Sequence, residues 1–112
     1  MAITNATIGT STAAIYTSVG NNAITTVIIC NTAVFDPLNP TDNQVKLSLY
    51  AVPNGGSATS PAANTKIVNE LVVPAGETVS FDQEKMVLSD GDMLVAKGDV
   101  VNLVATVSTL AV

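Results

Sequence analysis

Glu77, Asp82, Glu84, Asp90 and Asp92 lie close together in a chain of 112 residues that has only nine acidic side chains. Carboxylates gathered like this do chemistry in two main ways. A pair can divide the roles of general acid and base, as in glycoside hydrolysis. A group arranged around loop carbonyls can hold a calcium ion, which takes oxygen ligands in flexible geometry. Asp90 and Asp92 suit the second use best, because they flank Gly91 in a turn-forming stretch. The EF-hand ligand series is incomplete, however, since no Glu follows at its twelfth loop position. The first use needs an aromatic-lined sugar cleft, and the chain has no Trp, two Tyr and two Phe. The acids therefore read as solvated residues at strand ends, with Asp90 and Asp92 a minor calcium candidate.

Other chemistries lack their residues. With no His, the commonest general base and transition-metal ligand is missing, and one Cys cannot build a zinc site. Cys30, in "TTVIICNTA", has no basic neighbour in sequence to stabilise a thiolate and reads as a small buried hydrophobe. Ser and Thr are abundant, yet no Ser-x-x-Lys or His partner activates them. The Gly-rich "NGGSATS" lacks the Lys and following helix of a phosphate loop. Tyr16 and Tyr50 read as braces of a sheet surface or subunit contact. The expectation is a protein that is not an enzyme and that uses no cofactor.

The positions that carry these residues are set by strands. "VKLSLYAV" alternates Val45, Leu47, Leu49 and Ala51 with Lys46, Ser48 and Tyr50, the period of a half-buried strand. "ITTVIICNT" predicts Ile24, Ile28 and Cys30 on one face and Val27 and Ile29 on the other. "KIVNELVV" sets Ile67, Asn69, Leu71 and Val73 against Val68, Glu70 and Val72. The final strand sets Val101, Leu103, Ala105 and Val107 against Val104 and Leu110. An earlier strand lies around "AAIYTS". Turn chemistry separates the runs: "VGNN", "DPLNPTDN", "PNGGSATSPAAN", "PAGE" and "SDGD" supply the Pro, Gly, Asn and Asp that turns require. In the acidic stretch Pro74 ends a strand, Val79 and Phe81 point inward, and Asp82, Gln83, Glu84 and Lys85 cover the next bend. Short strands at this spacing predict an all-β protein, a single antiparallel β-sandwich or jelly-roll-like domain of about eight short strands over residues 1–112.

Composition limits the partners. Charged residues make up 12 % of the chain and apolar residues 47 %, against roughly 25 % charged in ordinary soluble domains. Much of the surface must then be Thr, Ser, Asn and Ala, which suits a subunit covered by neighbours. The net charge is −5, with four Lys; scattered along the chain, these lysines predict no basic patch and no nucleic-acid binding. No apolar run reaches the ~18 residues of a membrane span. The N-terminus does not read as a signal peptide, so the Asn5-Ala6-Thr7 match to a glycosylation acceptor reads as chance. A lone thiol fits folding in a reducing compartment.

Three segments, "ITTVIICNTA", "VKLSLYAVPNGGSA" and "VVPAGETVSFDQEKMVLSDGDMLVA", together with the alternating final strand, resemble small structural proteins of tailed bacteriophages, including marine and cyanobacterial phages. The matching elements are Cys30 to Thr32, Leu47 to Gly56, Pro74 to Ala96 and Val100 to Val112. The resemblance implies a non-enzymatic virion component, assembled in the host cytoplasm. A capsid decoration or cement protein that stabilises the particle is the leading expectation, with a neck, tail or baseplate accessory protein as its alternative. The implied partners are copies of itself, with a trimer as one small oligomer, and the major capsid protein or neck and tail proteins. Residues 1–8, as an arm, and loops 33–43 and 53–65 are the candidate contacts. A different class, a glycan- or host-surface-binding sandwich that reads its ligand through end loops, is set back by the scarcity of aromatic rings.

Overall fold

The computed structural model describes residues 2–82 and 85–112. Nine strands form: β1 (Ala2–Ile8), β2 (Ala13–Thr17), β3 (Asn22–Asn31), β4 (Val45–Val52), β5 (Lys66–Val73), β6 (Thr78–Phe81), β7 (Met86–Leu88), β8 (Met93–Lys97) and β9 (Leu103–Ala111). The only helical element among the described residues is a 3-10 turn at Ala63–Thr65. The strands build two antiparallel sheets. Sheet A runs β1-β9-β3-β6, with β7 also paired to β3, and sheet B runs β2-β8-β4-β5.

The pairing has a simple logic. β1 pairs with β9, β2 with β8, β3 with β6 and β7, and β4 with β5. The chain thus behaves as one long hairpin whose paired strands are rolled so that successive pairs alternate between sheets. β6 and β7 occupy consecutive stretches of β3 and together take the place of one strand, leaving eight strand positions. This is a jelly roll, the arrangement of two packed sheets and Greek-key connections. Among the described strands, β4 and β5 are the consecutive pair bonded directly to one another, while the consecutive β6 and β7 share sheet A by pairing with β3.

Aliphatic side chains fill the space between the sheets. Ile8, Ile24, Ile29, Leu103, Ala105 and Val107 come from sheet A, and Ile15, Val45, Leu47, Leu49, Val73, Leu94 and Ala96 from sheet B. Tyr16, Val79, Phe81 and Met86 close the margins. Val79 and Phe81 turn inward as their alternation predicts.

Bulges change the alternation elsewhere. In β3 the register moves from Ile24 to Thr26 while β9 moves only from Thr109 to Ser108, so Thr25 is an extra residue. Its hydroxyl donates to Ser108 O at 3.1 Å. An extra residue reverses the side-chain parity beyond it. Ile24 therefore shares the core with Val27 and Ile29, whereas Ile28 and Cys30 face outward, a correction to the uninterrupted alternation. Cys30 is half-buried on the sheet surface, not a core side chain. β5 contains two such shifts against β4. Of Ile67, Asn69, Leu71 and Val73 only Val73 is buried, and Val68 from the opposite set packs on the core. Val52 replaces Ala51 as the buried end of β4, and Val101 sits exposed in the turn before β9.

Polar hubs tie the two ends of the roll. Asn31, 1 % exposed, donates from Nδ2 to Asn43 O and Val73 O and accepts from the Ala33 amide. At the other end, buried Ser18 donates from Oγ to Gly20 O and accepts from Asn22 Nδ2. Its backbone bonds in both directions to the 91–92 turn.

Candidate functional site

The acidic stretch is structural at its best-placed members. Asp92 Oδ1 accepts the Asn54 amide at 2.8 Å and Oδ2 accepts the Ser89 amide at 2.9 Å. Asp90 Oδ1 accepts the Gly20 amide at 2.8 Å. The two carboxylates thus fasten the 19–22, 53–57 and 89–92 turns together. Gly91 permits the turn with φ of 85°, a conformation that L side chains rarely adopt. Glu77 is exposed in the Pro74–Glu77 turn, where its amide donates to Pro74 O. Asp82 is exposed, and its carbonyl accepts Lys85 Nζ. Gln83 and Glu84 lie outside the described residues. No group of three or more potential metal ligands occurs among the described residues.

The two outer faces of the sandwich differ in composition. On sheet A, β1 presents Ile3, Asn5 and Thr7 opposite Ser108, Thr106 and Val104 of β9. β3 presents Thr26, Ile28 and Cys30 beside Ser108, Thr106 and Val104 on one side, and Ile28 and Cys30 beside Ser80 and Thr78 of β6 on the other. Ala23, paired with both Leu110 and Val87, completes the set. Not one of these residues is an acid, Lys or Arg. The face is a flat mosaic of hydroxyls and aliphatic groups, with Ile28 40 %, Leu110 44 % and Val87 70 % exposed. Thr106 Oγ1 and Asn5 Oδ1 are bonded to one another at 2.9 Å.

Sheet B is the opposite in character. Lys97 stands across from Ser48, and Lys66 across from Tyr50, while Lys46 precedes Ser48 on the same face of β4. Three of the four lysines therefore meet on one surface, which corrects the expectation of scattered cations. They derive from β4, from β5, which follows it, and from β8, which is distant in sequence but pairs with β4 in the sheet. Lys66 Nζ lies 5.3 Å from the centre of the Tyr50 ring and 3.1 Å from Asn69 Oδ1. A shallow pocket of about 130 Å³ is lined by Lys46, Ser48, Tyr50, Lys66, Glu70, Lys97, Gly98 and Asp99. A more open depression of about 580 Å³ adjoins it, sharing Tyr50 and Lys66 and continuing past Asn69 to Pro61. The 53–65 loop is tied to the start of β2 by the bond from Thr12 Oγ1 to Thr59 O.

The candidate contact segments also have places in the fold. Residues 2–8 of the expected arm form β1, an edge strand paired along its length with β9; Met1 lies outside the described residues. Loop 33–43 holds Val34 and Leu38 almost fully in solvent, the latter 88 % exposed. Asp36 stiffens this loop by accepting the Leu38 amide at 2.9 Å and Asn39 Nδ2 at 3.2 Å. Those bonds, led by the Leu38 amide, hold its carboxyl below the ordinary value of 3.8.

The class defined by these features is an all-β jelly-roll sandwich whose paired outward residues of sheet A, among the described residues, carry no charge, and whose sheet B bears lysines. No family model matches the chain, and neither a curated protein nor a solved structure matches it significantly.

Proposed function

We propose that this chain is a non-enzymatic structural subunit of a phage virion, a capsid decoration or cement protein that stabilises the particle through symmetric subunit contacts. The observation that carries this reading is the uncharged outer face of sheet A. Four strands at ~4.8 Å and nine residues at ~3.3 Å give a face of roughly 20 by 30 Å. That projected area, about 600 Å², approaches the ~800 Å² that each partner contributes to a stable interface. Burying the described outward residues of this face requires no desolvation of a charge, and their Thr and Ser hydroxyls can exchange bonds with water for bonds with a partner. A jelly roll is one architecture of viral capsid domains, but it also serves lectins and cupins, so the fold alone does not choose among them. The resemblance of the Cys30–Thr32, Leu47–Gly56 and Pro74–Ala96 segments to small phage structural proteins supports the virion assignment. The partners in this reading are further copies of the chain and the major capsid protein, in particles assembled in the host cytoplasm. A neck, tail or baseplate position uses the same contact and differs in copy number.

Quantitative mass spectrometry of purified particles, scaled to the major capsid protein, tests the proposal. A ratio near parity supports decoration of the whole shell, and a few per cent moves the chain to a vertex, neck or tail. Absence from particles overturns the virion role.

A further inference from the structure

The groove across sheet B gathers charged side chains from three strands, and Asp99 Oδ1 there accepts the Lys46 backbone amide at 2.8 Å. An acidic chain with four lysines has gathered Lys46, Lys66 and Lys97 at one pocket, together with the carboxylates of Glu70 and Asp99. Ser48 lies in its lining, only 6 % exposed, with its hydroxyl accepting the Glu70 amide at 3.2 Å. That bond uses an oxygen lone pair and leaves the Ser48 O–H as a donor. Glu70 itself has a φ of 51°, a left-handed conformation uncommon outside glycine. Glu70 lies at the β5 bulge between the Leu47–Leu71 and Leu49–Val68 pairs, which directs its amide onto Ser48 Oγ. Gly98 is tightly packed at the same site: a Cβ there would lie 2.8 Å from Val45 Cγ1 and 3.2 Å from Val100 O.

We infer that this groove binds an acidic oligosaccharide. Lys97, across from Ser48, and Lys46, two residues before it in β4, supply the positive charge for a carboxylate or sulfate ester. A simple inorganic anion has no use for the two acids beside them, whereas sugar hydroxyls donate hydrogen bonds to carboxylates. The adjoining depression gives the chain of sugars room to continue along Asn69, whose amide, like the Tyr50 hydroxyl, both donates and accepts. Lys66 rests against the Tyr50 ring, so recognition here runs through hydrogen bonds and charge and not through ring stacking, consistent with a chain that lacks Trp. Sheet A faces the opposite way, and this site does not depend on the assembly role proposed above.

The test is an NMR titration of the full ¹⁵N-labelled chain with 3′-sialyllactose and with trigalacturonate, using lactose and sodium sulfate as controls. The expected result is a saturable shift of the Ser48, Tyr50 and Lys97 amides with at least one acidic sugar. In the Lys46→Gln/Lys97→Gln variant, whose changes are confined to exposed side chains, that affinity should fall about tenfold or more. Equal shifts with sulfate or with lactose overturn the assignment, as does no shift with either acidic sugar. Shifts that depend only on protein concentration assign the groove to a second copy of the chain and also overturn it.

Discussion

The side-chain amide of Asn31 in β3 donates to the carbonyl of Val73 in β5, 3.0 Å away, and so bonds one sheet of the sandwich to the other. The same nitrogen donates to Asn43 O at 2.9 Å, while Oδ1 accepts the Ala33 amide. A single buried amide thus anchors the ends of the 33–43 loop. Replacing it strands three backbone groups, of which the Val73 carbonyl is the most enclosed.

Asn31→Ala should lower unfolding free energy by about 2–3 kcal/mol, the range for leaving buried polar groups unpaired. Asn31→Asp should be worse at neutral pH, because an ionised carboxylate would face two carbonyl oxygens. That environment raises the folded-state pKa of the introduced carboxyl above its unfolded value, so the variant should lose stability as pH rises through that window. Urea unfolding at pH 4 and pH 7 checks both outcomes; equal stability of Asn31→Ala and the parent would remove Asn31 as an anchor.

The Thr25 bulge gives neighbouring isoleucines opposite fates. Ile29 is fully buried and Ile28 is 40 % exposed. Ile29→Ala should destabilise by about 2–5 kcal/mol and Ile28→Ala by under about 1 kcal/mol. In Ile28→Asp the monomer should remain folded while binding to particles through sheet A is lost. Denaturation midpoints and co-sedimentation with particles separate the two effects.

Asp92 acts through its two amide partners rather than as a metal ligand. Asp92→Ala should reduce stability by about 1–2 kcal/mol, by freeing the Asn54 and Ser89 amides. Because the Asp90 and Asp92 carboxylates are already engaged, millimolar calcium or EDTA should leave the thermal midpoint of the parent unchanged. A calcium-dependent rise in that midpoint would restore a metal role to this turn.

Asp36 predicts a local acid response. Its carboxyl is held below 3.8 chiefly by the Leu38 amide and then by Asn39. A depressed folded-state pKa means that the bonds favour the folded loop above the unfolded pKa. Their contribution is lost as pH falls through the lower folded value. Amide exchange at Leu38 should therefore accelerate at the acid end of the range and in Asp36→Asn, with the sheet amides unchanged.

The legible part of the fold lay in its punctuation. Pro74, Gly76, Gly91 and the Gly/Ser run of 53–65 mark strand ends because they restrict or widen backbone choice locally. Val45, Leu47 and Leu49 likewise reveal their face, since no bulge interrupts their alternation. Ile28 and Cys30 do not, because the extra residue at Thr25 depends on how β9 runs beside β3. A hydroxyl residue next to β-branched neighbours carries no local sign of that mismatch. The Asp90–Gly91–Asp92 turn was visible, while its amide partners on two distant loops were not.

By itself the sequence determined a β-rich chain with short strands, definite turns, an aliphatic core and few charges, because side-chain period and turn chemistry act over a few residues. Tertiary structure decided the rolling of the strand pairs, the parity of β3 and β5 and the meeting of Lys46, Lys66 and Lys97. Those features depend on cross-strand register, which brings residues up to fifty-one positions apart onto one face. Neither the face of sheet A nor the lysine groove exists until the sheets close, since the first needs β9 between β1 and β3 and the second needs β8 beside β4.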